Sequence, residues 1–116
     1  MSKELEDRFF RYALQGRDFC TKKHNVINIA YIKQLVRASA SVGANYIEAS
    51  DDLGKADERM KIKISRREAK ESVYWLGLVL TYSDEKLELD RQHLINEGTQ
   101  IAKILSAIQL WEIYYL

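Results

Sequence analysis

Proline occurs nowhere in this chain and glycine only five times. These two residues cost a helix most, proline by lacking an N–H and clashing with the preceding turn, glycine by the backbone entropy it forfeits. With so little to interrupt one, nearly the whole sequence is free to be helix joined by short connections, and strands find little support. The apolar positions agree. Over residues 3–21, Leu5, Phe9, Tyr12, Gly16 and Phe19 recur at steps of three and four, the spacing that lines one helical face. Lys22, Lys23, His24 and Asn25 then close the segment. Two cations suit the negative end of a helix dipole, and Asn25 or Asn28 can cap the helix that follows.

The second segment, 28–53, carries Ile32, Leu35, Ser39, Val42, Tyr46, Ala49 and Leu53 at the same alternation, and Asp51, Asp52, Leu53 and Gly54 connect it onward. A third, 56–82, puts Met60, Ile64, Glu68, Glu71, Trp75 and Leu78 along one face. Ser83, Asp84 and Glu85 read as a cap with first-turn acids, after which Leu87, Leu94, Gly98, Ile101, Leu105 and Ile108 form a fourth seam. Four long helices on short loops can only run up, down, up, down, so the expected fold is an all-α antiparallel four-helix bundle. A chain of 116 residues suits a single domain, 1–116, built on one core. The tail from Trp111 to Leu116 is aromatic and apolar, which predicts docking on its own bundle or on a neighbour.

No stretch approaches the roughly 20 apolar residues of a membrane helix, and the first residues lack the apolar run of a signal peptide, so the expected location is the cytoplasm and no membrane is a partner. Cys20 is a lone cysteine, read as a small buried hydrophobe. Net charge is only +1, but residues 1–80 hold 15 Lys/Arg against 11 Asp/Glu while residues 81–116 hold 3 against 6, hinting at a basic side and an acidic side.

Two constellations ask for more than a core. On the second helix Gln34, Arg37, Ser41, Asn45 and Glu48 draw one polar stripe, and Val36, Ala40, Gly43, Ala44 and Ile47 form a face that would admit another helix closely. Either the stripe faces water, or a second subunit covers it with Arg37 and Asn45 hydrogen bonding to Glu68 or Glu71. On the third helix Lys55, Arg59, Lys63, Arg66 and Lys70 share a narrow face with Arg67 beside it. Such a row either follows a phosphate backbone of RNA or DNA or is simply a solvated charged face. Aromatic interleaving of the single-strand-binding kind is poor, with Tyr74 the only nearby candidate for base stacking and Trp75 directed at the core.

Catalytic and metal chemistry find no footing. A di-iron bundle needs two Glu-x-x-His motifs, and Asp90 with His93 gives one match with the wrong acid. No phosphate loop, Cys-x-x-Cys or nucleophile turn is present. The expectation is a protein with no catalytic residue, no metal and no cofactor.

Gln34, Leu35, Val36 and Arg37, then Ser41 to Ala49, followed by Asp57, Lys61, Arg67, Glu68, Ala69, Glu71 and Tyr74 to Leu76, resemble the four-helix bundle proteins encoded in 23S ribosomal RNA intervening sequences. Glu97, Ile101 and Leu105 fit that family's last helix. Ala38 and Gly54 stand where the family usually has serine, Glu58 where it has phenylalanine, and a proline that commonly ends the first helix is missing. The resemblance implies a homopentamer of bundles. It also implies kinship with accessory proteins of diversity-generating retroelements, which bind nucleic acid and a reverse transcriptase. The functional expectation is therefore a non-catalytic, nucleic-acid-associated oligomer, or else a scaffold that holds a partner enzyme.

Overall fold

In a computed structural model the described residues are 2–50 and 53–115, the side chain of Tyr115 excepted. They form α1 (Lys3–Cys20), α2 (Asn28–Glu48), α3 (Lys55–Leu78) and α4 (Glu85–Tyr115), with no strand among them. The all-α four-helix bundle follows directly. Each helix packs on its neighbours in sequence, and α1 closes the square against α4 over a shorter stretch. At about 1.5 Å per residue the 31-residue α4 accounts for most of the 49 Å long axis.

The seams of α1, α2 and α4 are those the periodicity predicts. Phe9, Tyr12, Phe19, Leu35, Val42, Tyr46, Leu94, Ile101 and Leu105 are all buried. Glycine lets these helices approach: a Cβ on Gly16 would lie 2.6 Å from Ser39 Oγ. Gly43 faces Phe9 of α1 in the same chain, so the close helix it admits is internal. Arg8 of α1 grips Glu97 of α4 through two hydrogen bonds of 2.9 and 2.8 Å, across the pair of neighbouring helices that touch least.

The seam of α3 is not the expected one. Ile62, Ser65, Ala69, Ser72 and Leu76 are buried, whereas Met60 is 52% exposed and Leu78 sits at the surface. The core face of α3 is therefore turned roughly a third of a turn from the face that looks apolar. Three small residues in the seam disguise it, and their hydroxyls are satisfied: Ser65 Oγ donates to Val42 O and Ser72 Oγ to Ala69 O, both at 2.7 Å. Trp75 lies beside this seam, partly buried and packed against the core, stacked on Tyr31 at 6.3 Å with Nε1 donating to Glu71.

Two helix ends also differ from expectation. The second helix stops at Glu48, where Ser50 turns its N–H and hydroxyl back to Ile47 O, and Leu53 is exposed instead of continuing the seam. Asp51 and Asp52 of the expected connection lie outside the described residues. Gly54 enters α3 at φ 105, a conformation glycine adopts without strain. The third helix ends at Leu78 because Asn28 takes hold of the Leu80 peptide. Its Oδ1 accepts from Leu80 N at 2.8 Å and its Nδ2 donates to Leu80 O at 2.7 Å. Asn28 Nδ2 also reaches His24 Nδ1, so that nitrogen accepts and Nε2 carries the proton given to Phe19 O. Asn28 is thus a clamp between helix ends, and it is Asn25 whose side chain accepts from the first amide of α2. Asp84, of the expected cap triplet, caps α4 through Leu87 N.

Candidate nucleic-acid interface

Around α3 the charges separate by side. Toward α2, Arg37 Nη1 donates to both oxygens of Glu68 at 3.2 and 3.1 Å, and Nη2 donates to Glu71 at 2.6 Å. Lys61 meets Glu48 at 2.7 Å, and Arg37 Nε donates to Gln34 Oε1. The polar stripe is therefore a seam over the α2–α3 joint, and it is satisfied within one chain. In the single chain the Arg37 side chain is 47% exposed. Asn45 reaches neither glutamate, because its short amide is taken by Ser41 O one turn back. Ser41 in turn donates to Arg37 O.

Toward α4 lie Arg59, Lys63, Arg66 and Lys70, and Lys103 of α4 joins them. None of these, nor the exposed Arg67, has a carboxylate in ion-pair range among the described residues. Lys55 is the exception in the expected row, being paired with Glu58 at 3.7 Å. Arg66 is held by Ser106 through a 2.8 Å bond from Nε. Arg8, Arg17, Arg37, Lys61, Lys86 and Arg91, by contrast, each meet a carboxylate. Tyr74 stands exposed on the outer face of α3.

Between α3 and α4 runs a groove of about 540 Å³ with an apolar floor, Val73, Ala102, Ala107 and Leu110, and a rim of Arg66, Lys70 and Lys103. It continues past Gln109 and Ile113 into a smaller cavity of about 220 Å³ beside the first turns of α3. That cavity is lined by Arg59, Met60 and Lys63 from α3 and by Glu112 from the last turns of α4. Glu112 is only 3% exposed, and neither carboxylate oxygen has a hydrogen-bond partner. Burial pushes its carboxyl above the usual range, and Glu58 adds to that, while Arg59 and Lys55 pull the other way. The expected row did not include Lys103 or Glu112. The signal for Glu112 is in the spacing, since Ile101, Leu105 and Ile108 continue by a step of four onto it.

The C-terminal tail continues α4 instead of folding onto the bundle: Ile113 and Tyr114 are exposed, and Glu112 is the inward residue. The side chain of Tyr115 and all of Leu116 lie outside the described residues. Cys20 is half-buried, with its thiol pushed up to about 11 by burial, so it carries little thiolate at neutral pH. Asp90 is paired with Lys86 and His93 is exposed. Among the described residues no cluster of three or more metal-ligating side chains occurs, and no helix is long and apolar enough to cross a membrane.

A family model described as 23S rRNA-intervening sequence protein matches residues 11–107. Among solved structures, a protein of unknown function from the S23 ribosomal protein family of Bacteroides thetaiotaomicron VPI-5482 is 27% identical. The match covers 90% of this chain and 97% of that one, at a TM-score of 0.74. No curated protein matches.

Proposed function

Since the chain belongs to the 23S rRNA-intervening sequence protein family, we propose that it is a non-catalytic, self-associating bundle that binds nucleic acid along its α3–α4 face. The observation that carries this reading is the gathering of unpaired cations. In a chain of net charge +1, Arg59, Lys63, Arg66, Lys70 and Lys103 stand on one side, with Arg67 exposed next to Arg66 in the chain, all free of carboxylate partners among the described residues. Polyphosphate is the ligand that such a surface neutralises best, with release of its condensed counterions. Self-association is supported by Val36, Ala40, Ala44 and Ile47, which stay exposed on α2 beside Phe10 of α1. The family resemblance supports a homopentamer, which would array five copies of the basic face and multiply a weak single interaction.

The test is the salt dependence of binding to a single-stranded RNA of arbitrary sequence. The expected result is a steep linear fall of log affinity with log salt. Changing Arg59, Lys63, Arg67 and Lys70 to glutamine should flatten the slope by about 0.7 for each phosphate no longer neutralised. A slope near zero, or one unchanged in that variant, overturns the assignment.

A second reading, a scaffold that holds a partner enzyme such as a reverse transcriptase, is favoured by the exposed apolar side chains of Ile113 and Tyr114. Truncation of residues 111–116 separates the two, because it should abolish capture of the enzyme and leave the salt slope intact.

A further inference from the structure

The cations of the α3–α4 face explain affinity for phosphate but leave Glu112 without a purpose. Burying a carboxylate with both oxygens unpartnered is costly. Apolar residues fill the preceding seam positions Ile101 and Leu105, and a leucine at 112 would be the ordinary choice. The acid also sits where other acids would be least welcome to a polyanion, at the end of a basic groove. It lines a cavity of about 220 Å³, several times the roughly 30 Å³ share of one water, whose apolar lining is Ala56, Met60 and Ile113. Arg59, Lys63 and Gln109 complete the lining.

An ionised carboxylate accepts only, and its two oxygens lie side by side. The matching ligand presents two neighbouring N–H donors on one edge. Of the common bases only guanine does so, through N1–H and N2–H on its Watson–Crick edge. Adenine and cytosine set a ring acceptor beside their amino group, and uracil flanks its single N–H with two carbonyls that a carboxylate repels. We infer that the Glu112 cavity is a base-reading pocket that takes one unpaired guanine of a single strand, with Glu112 accepting from N1–H and N2–H while Arg59 and Lys63 hold the adjoining phosphates. Met60 and Ile113 supply apolar walls for the ring faces, and the rest of the strand follows the groove toward Arg66, Lys70 and Lys103. A duplex cannot be read in this way, because pairing occupies the same edge.

This inference rests on the proposed nucleic-acid function, and one series of measurements separates the two. Fluorescence anisotropy is read on a labelled single-stranded RNA that contains a single guanine, and on the same strand with inosine, adenine or uracil in its place. The expected order is guanine first, inosine weaker through loss of N2–H, and adenine and uracil weaker by about tenfold, the scale on which a bidentate base interaction discriminates. Annealing the complement should erase the preference. Glu112→Gln keeps the shape and should lose the guanine preference with an unchanged salt slope. Equal binding of all four strands, or a preference that Glu112→Gln retains, overturns the pocket and leaves the nucleic-acid function standing. Absence of binding to any strand at low salt overturns both.

Discussion

Gly98 is where the bundle is least able to accept a single carbon. A Cβ there would collide with the Tyr12 hydroxyl and come within 2.8 Å of Val73 Cγ2. Tyr12 passes beside Gly98 to reach Ser72 on α3 at 2.7 Å, and since Ser72 gives its own proton to Ala69 O, Tyr12 is the donor. Burial pushes that hydroxyl up to about 12, so it keeps its proton at any ordinary pH. Gly98→Ala should therefore cost about 1–3 kcal/mol through overpacking, read as a lower urea midpoint, while Tyr12→Phe should cost only about 1 kcal/mol. Glu112 predicts the opposite sign. Its carboxyl is raised by burial and by Glu58, against Arg59 and Lys55, with Lys63 also lining its cavity. The folded state therefore holds the proton to higher pH than the unfolded chain, and ionisation at neutral pH weakens the fold. Glu112→Leu should raise the melting temperature at pH 7 by several degrees, corresponding to about 1–3 kcal/mol, with the gain shrinking as pH falls toward the ordinary carboxyl range. A stabilising change that also abolishes base preference would mark Glu112 as a residue kept for binding at a cost in stability.

Element boundaries depend on long-range hydrogen bonds that no periodicity reports. The clamp of Asn28 on both polar groups of Leu80 joins residues 52 apart in sequence, and it decides where α3 ends. Asn28→Ala should cost about 2 kcal/mol and release the Leu80 amide to hydrogen exchange well ahead of the neighbouring core amides. Equal protection in the variant would refute the clamp. The seams of α1, α2 and α4 were legible because large apolar residues mark them. That of α3 was not, because Ser65, Ala69 and Ser72 are chosen for size and for a bonded hydroxyl, and neither property registers as hydrophobic. In α4, Arg91, Gln92 and Thr81 all bond Glu88 and hold its carboxyl down to about 2 from the usual 4.5. The folded state thus favours the ionised form, and its contribution is present above pH 4.5 and lost as pH falls toward about 2. Acid denaturation of Glu88→Gln should accordingly show a shallower fall across that window, from a lower starting stability.

On the scale of the molecule, sequence reading found the cations but not their setting. The row Arg59, Lys63, Arg66, Lys70 was legible as spacing, yet the groove beside it depends on Ala102, Ala107 and Leu110 of a helix some 40 residues away, and the pairing of charges on α3's other side depends on Arg37 reaching Glu68 and Glu71. The face opposite the groove raises the last question. Val36 and Ile47 are 39% and 48% exposed on α2, next to Phe10 at 60%, and none of the three is needed to complete the core. If copies of the chain associate there, light scattering should give a mass several times 13.5 kDa that holds on dilution, near fivefold if the family resemblance extends to assembly. Val36→Glu combined with Ile47→Glu should then yield a monomer with unchanged helix content, because both side chains already meet water. Nucleic-acid affinity should drop with assembly even though no basic residue has changed, since linked copies bind at a high effective concentration that separate ones lack. A monomeric native protein at every concentration would remove the assembly and its avidity together, and a double variant that stays assembled would move the interface to another face.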